Sequence, residues 1–173
     1  MKYFERSLLL RLYSNRSDME QVFILSTLTS IGLISFRVIY TGDLHFVFLV
    51  WNLFLAIIPY SISKKMGAIV GSKSKWKFFL YSFVWLLFIP NSFYINTDLF
   101  HLDLNDQVPL WYDLALLLSF AWSGVPFGIL SVRQMEKEFE NYFTKKFDLL
   151  FIVPVMLLNA LGIYVGRYLR FNS

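Results

Sequence analysis

The sequence predicts an all-α fold, a polytopic transmembrane helical bundle of about five spans. Three observations carry this. First, 57% of the 173 residues are hydrophobic and only 16% are charged, against about 25% charged in ordinary soluble domains. Mean hydropathy is +0.53. A domain of this size still exposes roughly a third of its unfolded surface, so an aqueous fold has nowhere to put so much apolar side chain. Second, apolar runs of about 20 residues recur, the length that crosses the bilayer hydrocarbon. Third, lysine and arginine gather between alternate runs, as in loops on one side of a membrane.

Residues 1–19 form an N-terminal segment with a basic start, MKYFERSLLLRLYSNR. Its longest apolar run, Leu8–Leu10, is too short for a signal-peptide core. We expect an amphipathic helix at the cytoplasmic interface, followed by a transmembrane domain over 20–173. The first span is expected at 21–40 and the second at 44–62. The basic stretch SKKMGAIVGSKSKWK (63–77) then reads as a flexible inner loop, because of its glycines and serines. The third span is expected at 76–95, with Trp76 at an aromatic belt and Pro90 bending or ending the helix.

The next loop, 90–113, carries Asp98, Asp103, Asp106, Asp113 and His101 and no basic residue. Asn91, Tyr94, Asp98, His101 and Asn105 recur at spacings of three and four. That periodicity predicts a short outer-surface helix with its polar stripe turned to the protein. The fourth span is expected at 110–132, followed by a surface helix over 133–147 with Phe139 and Phe143 on the membrane. The fifth is expected at 148–168. Gly162 and Gly166 form Gly-x-x-x-Gly, which lets helices approach closely.

Thirteen of the sixteen basic residues fall in the N-terminal segment and the 63–77 and 133–147 stretches. The positive-inside rule then puts the N-terminus in the cytoplasm and, with five spans, the C-terminus outside. The other three are Arg37, Arg167 and Arg170. Outward arginines run against the insertion bias and call for partners, either the outer aspartates or an anionic ligand. There are no cysteines, which excludes disulfides and thiolate metal sites. Basic residues between apolar runs speak for membrane loops, not nucleic acid.

Asp98 and His101 lie at i,i+3, where they can touch. A carboxylate beside an imidazole fixes its tautomer and suits it to be a general base. They are the catalytic candidates, His101 as base and Asp98 as its orienter. Asn91, Tyr94, Asp113, Arg167 and Arg170 are the binding candidates. The plain alternative is a structural hydrogen bond at the interface. No metal or cofactor is expected. The site so assembled would recognise a lipid or cell-envelope precursor head group, and whether it also catalyses stays open. A second reading is a non-enzymatic subunit or scaffold, a homo-oligomer or a membrane partner packing on the Gly162 and Gly166 face. A third is a small oligomeric transporter. Asn52 and Asn159 read either as helix packing or as the lining of a water-filled cavity that opens outward.

The segments WNLFLAIIPY (51–60), LLFIPNSFYINTDLFHL (86–102), WYDLALLLSFAWSG (111–124) and GIYVGRYLRFNS (162–173) resemble the bacterial membrane family known as domain of unknown function 1361. The resemblance covers roughly 44–173. It implies a multi-pass protein of the bacterial inner membrane and brings no activity. It also implies a further apolar span beyond the Arg-x-Asn-Ser motif that ends this chain.

Overall fold

The structure is a computed structural model and describes residues 18–102 and 108–168. The interfacial helix expected at the N-terminus lies outside the described residues, as do Asp103, Asn105, Asp106 and Arg170. Five helices follow in order: α1 (Asp18–Thr41), α2 (Phe48–Gly71), α3 (Lys75–Tyr94), α4 (Leu110–Phe143) and α5 (Leu149–Tyr168). A 3-10 segment, Ile95–His101, continues directly from α3. All five helices are long and apolar enough to cross a membrane, and α4 is the most enclosed.

Two boundaries move from expectation. The 63–77 stretch is not a loop, because α2 runs on to Gly71 and only Ser72–Ser74 turn the chain. Ser63, Met66 and Ile69 recur every three residues and are buried, so the stretch still has an apolar face to pack. Nor is 133–147 a separate surface helix. α4 continues unbroken to Phe143, because Val132, Met135 and Glu136 keep a buried face running past the expected end. Phe139 packs inward on Phe78 and Phe151. Thr144 stops the helix in a left-handed conformation, φ 54°.

α4 packs against every other element, most extensively against α2, and α5 rests chiefly on α3. Large apolar side chains cover the outside: Ile39 is 83% exposed and Trp122 74%. A surface of this kind is stable only where the solvent is hydrocarbon. Two apolar clusters fill the inside. One, at the end bearing Arg37, Asp98 and Asp113, gathers Phe46, Leu49, Leu53, Ile95, Leu116 and Phe120. The other, at the lysine-rich end, gathers Met66, Phe78, Trp85, Ile89 and Met135.

Between them the helices are tied by short polar bonds. In hydrocarbon such groups must find partners inside the protein. The Trp85 indole donates to Ser131 Oγ at 2.7 Å. Ser92 donates to the Ala56 carbonyl at 2.7 Å. Ser26 and Ser30 both meet Ser123 Oγ, at 2.9 and 3.1 Å. Close approach makes these contacts possible. A Cβ on Gly124 would come within 2.8 Å of Ile95, and one on Gly128 within 2.8 Å of Ser92. One on Gly162 would come within 2.6 Å of the Pro90 ring.

Candidate functional site

The acid-bearing end holds two polar centres on one apolar cluster. The first joins α1 to α4. Arg37 Nε donates to Asp113 Oδ1 at 2.7 Å and Nη2 to Oδ2 at 3.2 Å, a bidentate fork. Arg37 is 1% exposed and Asp113 2%. The guanidinium lies 4.5 Å above the Phe46 ring. Its Nη1 has no hydrogen bond, only Asp43 at 3.7 Å. The outer arginine therefore finds its partner inside the chain, and Asp113 is occupied by Arg37. Tyr112 adds a second tie, donating to the Leu33 carbonyl at 2.7 Å.

The second centre lies on the 3-10 segment. There the Thr97 hydroxyl donates to the Tyr94 carbonyl three residues back, at 2.7 Å. The polar side chains expected on one stripe from Asn91 to His101 do not share one environment. Asp98 turns into the bundle, 1% exposed, and accepts from Asn52 Nδ2 at 2.9 Å. His101 ends at the exposed rim with its ring 5.1 Å from Phe48. The two therefore diverge, and no hydrogen bond joins them.

Arg167, on α5, comes in from the far side. Its guanidinium lies 5.0 Å over the Phe100 ring, near enough for its charge to act on both Asp98 and His101. It pairs with no carboxylate among the described residues. His45, from the turn before α2, also lies close enough to influence His101. The second centre thus brings together Asn52, Asp98, His101, His45 and Arg167. Among the described residues no three His, Asp or Glu side chains are grouped to hold a metal ion.

Of the residues singled out from sequence, Asp98, His101 and Arg167 lie at one end of the bundle, with Asp98 turned inward and His101 out to the rim. Asn91 and Tyr94 face elsewhere. Asn91 Nδ2 donates to its own Phe88 carbonyl at 3.1 Å. The Tyr94 ring lies 3.4 Å from where a Gly166 Cβ would be. Gly162 meets Pro90 in the same seam, so the small-residue face expected for a partner is filled by α3 of this chain. Asn52 and His45 were missed as site members. Asn52 showed only as a polar residue in a span, a signal that fits packing equally well. Asn159 is buried with its Oδ1 unpaired. It sits on α5, while Asn52 bonds Asp98.

Five spanning helices, an apolar exterior and polar groups paired inside define a polytopic helical membrane protein. The chain belongs to the family described as "Protein of unknown function (DUF1361)", whose profile matches residues 51–173. The match takes in α3, the 3-10 segment, α4, α5 and almost all of α2, and so nearly the whole second centre. No curated protein and no solved structure matches the chain.

Proposed function

We infer that the second centre recognises the head group of a lipid or cell-envelope precursor at the outer face of a bacterial inner membrane. The lysine-rich end lies in the cytoplasm in this reading, as the distribution of basic residues favours. One observation carries it. Asp98, within a membrane-spanning segment, is buried with Asn52 as its hydrogen-bond partner, beside an arginine that has no carboxylate of its own among the described residues. Ionisable side chains at such depth are costly and mark functional sites. Arg167 presents a planar fork suited to a phosphate. Asp98 keeps an oxygen for a hydroxyl or ammonium donor. His101 is a rim group that bonds the same ligand from the water side.

The test uses the full chain in nanodiscs of equal phosphatidylglycerol and phosphatidylcholine, with retained lipid counted by native mass spectrometry. The wild type is expected to retain phosphatidylglycerol preferentially. Arg167→Gln should lose about tenfold in that preference, roughly 1.4 kcal/mol. Arg167→Lys, which keeps the charge but not the fork, should fall between. Equal preference in Arg167→Gln and wild type overturns the reading.

A further inference from the structure

A cleft of about 860 Å³ runs between α1 and α4 and ends at the 3-10 segment. Its walls include Leu25 and Thr29 on α1 and Leu118 and Trp122 on α4, and Asn96 and Leu99 close its outer end. We propose that this cleft seats a hydrocarbon chain of the lipid whose head group meets Asp98 and Arg167. It rests on the head-group reading, since the same 3-10 turn presents Asn96 and Leu99 to the cleft and Asp98 to the polar centre.

Three features select an alkyl chain. The first is size. On α4 the cleft reaches from Ala115 to Ile129, a rise of roughly 21 Å at about 1.5 Å per residue. A single extended chain is long and thin enough. The second is the state of the hydroxyl groups. Ser26 is bonded to Ser123 and directed at the Phe23 carbonyl, Thr29 donates to Leu25, and Ser119 donates to Leu116. With their protons committed to the protein, these hydroxyl groups have none left to donate to a polar ligand.

The third is polarity along its length. The lips are large and exposed: Val22 54%, Leu25 59%, Leu118 47% and Trp122 74%. They open sideways, where lipid enters without crossing water. The amide of Asn96 is exposed at the end nearest the polar centre. A lipid lying along α4 with its head group at this end matches that gradient.

The test places full-length protein in nanodiscs of phosphatidylglycerol and phosphatidylcholine. A fraction of the phosphatidylglycerol carries a diazirine midway along one acyl chain, and adducts are mapped by peptide mass spectrometry. Adducts at Leu25, Thr29, Leu118 and Trp122 are expected severalfold above those at Leu157 and Leu161 on the exposed face of α5. Ala115→Trp, at an exposed lining position, should lower them severalfold. Should it not insert, Ser119→Leu gives the same reading. Equal labelling of cleft and α5, or labelling unmoved by the filled cleft, overturns the proposal. Cleft adducts that persist while Arg167→Gln keeps its phosphatidylglycerol preference uphold the chain site and refute the head-group reading instead.

Discussion

Removing the carboxylate of Asp113 should destabilise the bundle strongly at its acid-bearing end. The side chains of Arg37 and Asp113 are 1% and 3% exposed and share two hydrogen bonds, at 2.7 and 3.2 Å. Asp113→Ala deletes both acceptors and strands a buried cation. Breaking a buried pair in this way costs about 3–5 kcal/mol. Asp43 stays nearby with its side chain 38% exposed, which brings water close to Nη1. The lower end therefore applies, about 3 kcal/mol, or roughly 150-fold in the folding equilibrium. Arg37→Met should cost a similar amount, because it leaves Asp113 unpaired. The double variant Arg37→Met/Asp113→Leu replaces the pair with apolar groups of like volume. Such replacements are often neutral or better, so it should recover most of the loss. Unfolding in mixed micelles at rising dodecyl sulfate, followed by circular dichroism, measures all three. An Asp113→Ala loss under about 1 kcal/mol, the size of a surface pair, would refute the reasoning. A double variant as damaged as the sum of the singles would do so equally.

Four further outcomes follow from geometry. Gly162→Ala should cost about 1–3 kcal/mol, since its Cβ would strike the rigid Pro90 ring at 2.6 Å. Gly166→Ala, meeting Tyr94 at 3.4 Å, should be neutral or gain up to about 1 kcal/mol from helix propensity; the same unfolding assay separates them, and equal costs would contradict the seam. Ser131→Ala should cost about 1–3 kcal/mol by leaving the Trp85 indole N–H unpaired in the core, and adding Trp85→Phe should recover part of it, read as thermal midpoints in detergent. Asp98→Asn keeps an oxygen for Asn52, so stability should change by less than about 1 kcal/mol while phosphatidylglycerol preference falls in the nanodisc measurement. The chain has no cysteine, so introduced thiols give clean sidedness. A membrane-impermeant maleimide should label Leu44→Cys on intact spheroplasts and Lys75→Cys only after lysis, and the reverse pattern would invert the proposed orientation.

The spans were legible because hydrocarbon imposes one simple rule on their length and composition. Where the helices end was not. Residues 63–71 carry enough charge and glycine to look like a loop, and the mixed charges of 133–143 look like a separate surface helix, yet Met66, Ile69 and Met135 supply buried faces that only tertiary packing shows. The acid-bearing loop was recognisable by its charge. Its pairing was less so. That Arg37 would find a partner in the chain followed from the cost of an unpaired arginine, but the choice of Asp113 over Asp98 depends on which helices are neighbours. The stripe through Asp98 and His101 was read at 3.6 residues per turn. The segment is a 3-10 helix in which Asp98 is buried against Asn52 and His101 stands at the rim.

The packing of α1 almost wholly on α4 has a consequence for biogenesis. Ser26, Ser30 and Arg37 find their partners 97, 93 and 76 residues further along the chain. A ribosome feeding this protein to the insertion machinery delivers α1 long before these partners on α4. α2 and α3 can pair as a hairpin as soon as they emerge, but α1 must wait nearby with an arginine near its end. Release of α1 into free lipid before α4 appears would expose that charge to the bilayer. The bonds from Ser26, Ser30 and Arg37 can close only once α4 is in the membrane, so the first helix to be made is among the last to be locked into the bundle.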